Sequence, residues 1–166
     1  MSESREPYAN NRHQVRIKEI SQWADSFATT RNKWARKSRY FHRADRAYLR
    51  FLIPEGLKIL ELGCATGETL ASLSPTQGTG VDISPQMIEI ASRKHPDLTF
   101  LVGDIEDISI INDLHELGPF DVILLDSTLG FLDDIQTFLK NLANGLTCLN
   151  QRRHIRLLIF INWGGY

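Results

Sequence analysis

Residues 58–67 read Lys-Ile-Leu-Glu-Leu-Gly-Cys-Ala-Thr-Gly, an apolar run that passes into a stretch of small residues. The segment from Glu68 to Leu73 follows with the composition of a helix. Short apolar runs are typical of buried strands, and glycine lets a chain turn sharply while its backbone stays open to a ligand. The stretch therefore predicts a buried strand, a tight turn and a helix.

Four more apolar runs follow, and acidic residues mark the ends of three of them. The runs cover 78–83, 98–102, 120–125 and 156–161, with Asp82, Asp104 and Asp126 near the ends of the first three. Between the runs, Ser84-Pro85 predicts a helix that ends near Lys94, and residues 135–146 carry apolar side chains at helical spacing. Parallel strands need crossover connections, which are usually helices. We expect an α/β fold, a Rossmann-like three-layer sandwich with a mostly parallel sheet.

A further helix is predicted ahead of the first strand, beginning near His42 and ending before Pro54-Glu55-Gly56. Its apolar residues recur at i, i+3, i+4, i+7 and i+8, the spacing of a stripe that faces a core. These residues are Ala44, Ala47, Tyr48, Phe51 and Leu52. We expect this stripe to pack on the sheet.

The chain has 166 residues, of which 42% are hydrophobic and 23% charged, and this favours one folded domain. Charge is uneven, because residues 1–50 hold 12 basic and 5 acidic residues, a net +7, and the remainder carries −8. We expect a basic N-terminal arm with helical segments over 1–39 and a ligand-binding domain over 40–166. A basic arm can meet nucleic acid, anionic lipid or an acidic substrate, but a solvated helix face is the simpler interpretation.

No membrane partner, metal site or disulfide is predicted. The apolar run Ile155 to Trp163 carries Arg156 and is far shorter than the roughly 20 residues that cross a bilayer. Residues 1–10 lack the apolar core of a secretory signal, so the expected location is cytoplasmic. Cys64 and Cys148 are far apart, with no histidine at metal-ligand spacing.

The turn and the three aspartates are expected to meet, because ligands of open parallel sheets bind beyond the carboxyl ends of the strands. Asp82 can accept hydrogen bonds from ribose hydroxyls, which points to a ligand that carries a nucleoside; the alternative role is a helix cap. An NAD-dependent oxidoreductase is a second interpretation, since Asp82 follows Gly63 at a compatible distance. That fingerprint requires glycine at positions 65 and 68, where this chain has Ala65 and Glu68.

Four segments together resemble the successive motifs of class I S-adenosylmethionine-dependent methyltransferases. They are Lys58 to Gly67, Gly80-Val-Asp-Ile-Ser84, Phe100-Leu-Val-Gly-Asp-Ile105 and Phe120-Asp-Val-Ile-Leu-Leu-Asp126. The resemblance covers roughly residues 40–162. It implies S-adenosyl-L-methionine as the cofactor and methyl transfer by in-line displacement, and it does not identify the acceptor.

The resemblance also implies a role for each matched residue. Glu61 and Gly63 would lie beside the methionine portion, and Gly63, Ala65 and Gly67 would let the cofactor lie against the backbone. Ala65 stands where the family usually has glycine, a mild departure.

At the nucleoside end, Asp82 would hold the ribose and Asp104 would approach the exocyclic amine of adenine. Ile105 would donate its backbone N–H to the ring, while Ile83 and Met87 would pack against it. Asp104 could instead be an ordinary loop carboxylate.

The resemblance also implies that Asp126 lies near the sulfonium and its methyl group. In this chemistry the protein supplies alignment, exclusion of water and, where needed, proton removal. A general base could be Asp126 or His42, with helix capping and a purely structural role as the respective alternatives, and Tyr40-Phe41 could form a lid.

Family members ordinarily continue past the fifth strand with a helix and two more strands, whereas this sequence ends at Tyr166. We therefore expect an exposed sheet edge that a homo-oligomer or partner would cover, or else a fragment of a longer chain. A noncatalytic cofactor-binding module is the corresponding alternative to an enzyme. The chain lacks an Asn-Pro-Pro-Tyr-type motif at Asp126-Ser-Thr-Leu129, so a small-molecule substrate is expected and nucleic acid is not.

Overall fold

The computed structural model describes residues 13–26, 39–147 and 155–160. Residues 13–26 form a helix, α1. The other elements are α2 (Arg39–Leu52), β1 (Lys58–Leu62), α3 (Glu68–Ser72), β2 (Gln77–Asp82), α4 (Pro85–Lys94), β3 (Thr99–Val102), α5 (Ile108–Leu117), β4 (Val122–Asp126), a 3-10 turn (Leu129–Phe131), α6 (Ile135–Thr147) and β5 (Arg156–Phe160). None of the helices in these ranges is long and apolar enough to cross a membrane.

The strands form one parallel sheet in the order β3-β2-β1-β4-β5. β1 is central, with Leu60 opposite Thr79 of β2 on one side and Ile123 of β4 on the other. Because every strand is parallel, all carboxyl ends lie at one edge of the sheet. The predicted Rossmann-like fold class is confirmed.

Two apolar clusters cover the two faces of the sheet. Leu60, Leu62 and Leu125 belong to the cluster that contains α5 and α6, whereas Ile59 and Leu124 belong to the cluster on the opposite face. This alternation follows from the strand geometry, in which successive side chains point to opposite faces. Each such aliphatic side chain contributes about 1.5–3 kcal/mol when fully buried.

The predicted core stripe of α2 is wrong. Tyr48 and Phe51 are 52% and 83% exposed, and Ala44 and Ala47 are also exposed. Leu49 and Ile53 are instead buried in the cluster that contains α3. The segment therefore carries two apolar stripes. Leu49 and Ile53, four residues apart, pack on the core, whereas the predicted stripe with Tyr48 and Phe51 faces outward.

One helix, α5, was not predicted from the sequence, and another was expected without bounds. Residues 13–26 form α1 within the segment 1–39, for which helical segments were expected. α5 follows β3, where Asp107 caps it by accepting a hydrogen bond from Ser109 N at 2.8 Å. The side chains of Tyr40 and Phe41, expected as a lid, lie outside the described part of the chain, as do Cys148 and residues 161–166.

Candidate functional site

The turn after β1 uses left-handed backbone conformations at three positions. Gly63, Ala65 and Gly67 have φ values of 82°, 48° and 74°. A Cβ atom on Gly63 would lie 2.2 Å from Thr128 Oγ1, and one on Gly67 would lie 2.6 Å from the ring of Phe100. Glycine is therefore needed at both positions, for backbone conformation and for space.

Ala65 is the exception within this turn, since it adopts a positive φ with a Cβ atom present. A left-handed conformation costs an L-residue roughly 1–2 kcal/mol. A hydrogen bond offsets this cost, because Ala65 N donates to Asp82 Oδ2 at 2.8 Å. The departure from the family's usual glycine is thus accommodated, with strain at one residue.

Asp82 joins the turn to the end of β2. It is 8% exposed, and its second oxygen, Oδ1, accepts a hydrogen bond from Ser84 N at 2.9 Å. The helix cap of α4 is supplied by Ser84, whose Oγ accepts from Met87 N at 3.1 Å. Asp82 therefore has an observed structural role in holding the turn. Each carboxylate oxygen can accept more than one hydrogen bond, so ligand contacts remain open to it.

Glu61 lies below the turn and is 2% exposed. Its Oε2 accepts a hydrogen bond from Leu70 N at 3.0 Å, at the start of α3. A carboxylate at this end of a helix satisfies a backbone N–H that has no partner within the helix. Cys64, within the turn, is buried, and its sulfur lies close to Gly80 of β2, where a Cβ atom would approach it to 2.7 Å.

The loops after β2 and β3 lie side by side, because Asp82 pairs in register with Val102 and Gly103 N donates to Asp82 O at 3.0 Å. Asp104 Oδ1 accepts from Glu106 N at 3.0 Å, which orients its carboxylate. The side chains of Met87 and Ile105 are buried here, and Ile83 is half-buried. The structure thus places the segments that contain Asp82, Ile83, Asp104 and Ile105 after adjacent strands.

Asp126 ends β4 on the other side of β1. Thr69 Oγ1 and Ser127 Oγ donate to its two oxygens at 3.3 and 3.2 Å. Burial raises the pKa of the Asp126 carboxyl above its usual value, against the opposing effect of these two hydrogen bonds. From α2, the charge of Asp45 also raises this pKa and that of His42 lowers it. The two predicted base candidates therefore share one region, with Asp126 half-buried and His42 exposed.

Sequence reasoning missed the contribution of α1, which crosses the carboxyl edge of the sheet. Ser21 Oγ donates to Ile83 O at 3.3 Å, and Ser84 Oγ donates to Asp25 in a short hydrogen bond. The ring of Trp23 lies 5.8 Å from that of Phe131. α1 therefore contacts loops that follow β2 and β4.

The first turn of α1 also contacts the loop after β3, through charged side chains. Arg16 lies 2.7 Å from Glu106 and 2.7 Å from Asp133. Glu106 in turn accepts hydrogen bonds from the backbone N–H groups of Asp133 and Asp134. The sequence does contain a signal for this helix, because the positions that are at least half-buried include 13, 16, 17, 20 and 24, which recur at helical spacing.

A family model described as "Methyltransferase domain" matches residues 60–148, which is more than half of the chain. The match begins within β1 and extends past α6, so it includes the turn and the loops after β2, β3 and β4. The four sequence motifs lie in or next to this region.

Among curated proteins, the malonyl-[acyl-carrier protein] O-methyltransferase of Bacillus cytotoxicus is 35% identical over 128 residues, covering 74% of this chain and 41% of that protein. A dTDP-4-amino-2,3,4,6-tetradeoxy-D-glucose N,N-dimethyltransferase of Saccharopolyspora spinosa is 34% identical over 59% of this chain and 39% of its own. The chain spans less than half the length of either relative.

Among solved structures, a SAM-dependent methyltransferase from Thermotoga maritima has a TM-score of 0.63 at 23% identity. The superposition covers 84% of this chain and 60% of that one. At this identity the likeness concerns the fold alone.

Proposed function

Because the chain belongs to the class I S-adenosylmethionine-dependent methyltransferase superfamily, we propose that it binds S-adenosyl-L-methionine and transfers the methyl group to a small-molecule acceptor. The cofactor supplies an activated methyl group on a sulfonium, so the protein has to align the acceptor, exclude water and accept a proton where the acceptor carries one.

The observation that carries this proposal is the hydrogen bond between Asp82 and Ala65 N. It unites a turn of open backbone with a carboxylate at the end of the neighbouring strand. A ligand with a ribose diol and an extended polar tail matches this unit, since the diol can donate to Asp82 while the tail runs along residues 63–67. Glu61 would contribute indirectly, because its hydrogen bond with Leu70 N holds the start of α3 next to the turn.

At the nucleoside end, Asp104 would accept a hydrogen bond from the exocyclic amine of adenine, and the backbone N–H of Ile105 would donate one to a ring nitrogen. Ile83 and Met87 would pack against the faces of the ring, since their side chains are half-buried and buried beside these loops. The carboxylates of Asp82 and Asp104 follow adjacent strands, which supports a single ligand that reaches both.

On the methyl side, Asp126 would be the group nearest the reacting atoms. Its raised pKa makes it a stronger base than an exposed aspartate, which suits the removal of a proton from an amine or hydroxyl. His42 and Asp45, on α2, would tune this carboxyl and line the acceptor side. The named relatives methylate oxygen and nitrogen, and both kinds of acceptor are compatible with such a base.

Several finer expectations remain part of this proposal. They are the division into an arm over 1–39 and a domain over 40–166, a cytoplasmic location, and a second copy or partner along the sheet edge. Nucleic acid is not proposed as a substrate, because the curated relatives named above act on an acyl carrier conjugate and a sugar nucleotide.

Isothermal titration with S-adenosyl-L-methionine, up to about 1 mM, tests the binding step. We expect binding, and at least a tenfold loss of affinity in Asp82→Asn, because a hydrogen bond to a charged acceptor is worth about 1.5–3 kcal/mol. Asp97→Asn is the matched control, since Asp97 is an exposed carboxylate in the turn before β3. No binding to the unaltered chain, or an equal loss in both variants, would refute the proposed site.

Methyl-labelled cofactor offered with a mixture of small amines and alcohols tests the transfer step. Labelled product supports the enzyme. Binding without any transfer would support the noncatalytic alternative instead, and preferential binding of a dinucleotide would support an oxidoreductase.

A further inference from the structure

His13, in the first described turn of α1, contacts two carboxylates at once. Its Nε2 lies 3.1 Å from Asp104 Oδ2, and its Nδ1 lies 2.8 Å from Asp133 Oδ2. One of these is the carboxylate that the proposed function assigns to the adenine amine. Oδ1 of Asp104 already accepts from Glu106 N, so His13 lies against the other oxygen of a carboxylate that the nucleoside also needs.

The protonation state of His13 follows from this geometry. An ionised carboxylate can only accept hydrogen bonds, so both ring nitrogens have to donate, and both donate only in the imidazolium form. The hydrogen bond to Asp133 raises the pKa of His13 above its usual value, although partial burial opposes this; Asp104 adds to the increase. The double contact is complete below this pKa and loses one hydrogen bond above it.

We propose that His13 is a proton-dependent latch on the nucleoside site, which competes with adenine for Asp104 when His13 is charged and releases that carboxylate when it is neutral. This proposal rests on the proposed function, because it gives Asp104 its role from there. It predicts that nucleoside affinity increases with pH.

The charged groups around His13 favour a local change over the loss of α1. Glu106 and Asp133 approach the imidazole with oxygen atoms, all three groups having atoms within 4.8 Å of one another. Arg16 pairs with both of these carboxylates and stays charged at every relevant pH. When His13 loses its proton, Arg16 continues to hold α1 on the loop after β3, and Asp104 is the group that is freed.

The α1 contacts farther along the helix do not depend on this proton. Ser21 bonds to a backbone carbonyl of the loop after β2, and Asp25 accepts from Ser84. The helix is thus held at its far end by contacts that do not involve His13. The latch acts at the adenine amine, where a single hydrogen bond is exchanged.

The test measures nucleoside binding by isothermal titration between pH 5.5 and 8.5, with 5′-methylthioadenosine as the probe. This compound carries the adenosine group without the amino acid of the cofactor, whose own amine would titrate. We expect affinity to rise roughly three- to tenfold across the transition, which matches one net hydrogen bond. The corresponding inosine compound lacks the exocyclic amine, and its affinity should not change with pH.

His13→Gln is the decisive variant, because glutamine keeps one donor and cannot be protonated. It should bind the probe with the same affinity at every pH, while His115→Gln, at an exposed histidine of α5, should keep the pH dependence of the unaltered chain. Asp133→Asn offers a second readout that does not depend on the folding of the first variant. It removes one carboxylate partner, so the midpoint of the transition should move to lower pH.

The outcomes separate the two proposals. Binding that is independent of pH in the unaltered chain, or pH dependence that persists in His13→Gln, overturns the latch and leaves the cofactor site intact. Failure of both S-adenosyl-L-methionine and the probe to bind at any pH overturns the proposed function and the latch together.

Discussion

The turn after β1 and the two N-terminal helices pack on the same sheet, but they are held in place by contacts of different range. Within the turn region, Glu61 and Leu70 are 9 residues apart and Ala65 and Asp82 are 17 apart. In α1, Arg16 reaches Glu106 across 90 residues, and His13 reaches Asp133 across 120. α2 likewise buries Leu49 against strands that lie later in the chain.

The family match over residues 60–148 includes the turn and begins after both N-terminal helices. Contacts such as Glu61–Leu70 and Ala65–Asp82 can be encoded in a compact motif, because the two partners lie at a short, fixed spacing. The helices depend on surfaces that exist only after the sheet has formed.

The largest expected effect comes from breaking the turn with Gly63→Ala. The new Cβ atom would overlap Thr128, and alanine would have to adopt a left-handed backbone, so the two effects together should cost about 2–5 kcal/mol of stability. Cofactor binding should be lost with it. Chemical denaturation and titration check this, with Gly130→Ala as the control, because nothing lies within 4 Å of a Cβ atom there. A Gly63→Ala protein as stable as the control would contradict the close approach.

The second-largest effect tests which side of α2 packs on the core. Leu49→Ala should lower the free energy of unfolding by about 2–4 kcal/mol, because it leaves a cavity against α3 and the sheet. Phe51→Ala, two residues along the same helix, should change it by less than about 0.5 kcal/mol. Leu49 and Phe51 are 1% and 83% exposed. Equal effects in urea denaturation would show that the outward stripe is also buried, as the sequence predicted.

The smallest effect tests whether the backbone of Ala65 is strained in the turn. Ala65→Gly should stabilise the protein by about 0–1.6 kcal/mol. It relieves roughly 1–2 kcal/mol of left-handed strain, and the greater entropy of the unfolded chain offsets about 0.4–1 kcal/mol of this gain. Cofactor affinity should be unchanged or slightly higher. A loss of stability measured by thermal unfolding would mean that Ala65 is not strained in the native turn.

Much of the sheet could be predicted from the sequence, because each strand is a short apolar run followed by a small or acidic residue. The Ser84 cap was correctly identified for the same reason, since Ser-Pro before an apolar helix is a local signal. The positions of Asp82, Asp104 and Asp126 at one edge followed from the parallel topology alone. Their roles toward a ligand stay predictions.

Other features required the structure. α2 carries two apolar stripes, and no local rule determines which of them the core selects. The competition between His13 and a ligand for Asp104 could not be foreseen, because a lone histidine in a polar arm has no recognisable pattern. The structural role of Asp82 was likewise hidden, since its partner is a backbone N–H that any residue could provide.

The central place of β1 also has a consequence for how the chain folds. β1 and β2 are joined through a short helical crossover, whereas pairing β1 with β4 brings Leu60 beside Ile123 and closes a loop of about sixty residues. Because longer loops lose more chain entropy on closure, the β1–α3–β2 unit can assemble first and template the remaining strands. The glycine-rich turn would then form before the loop after β4, which lies on the other side of β1.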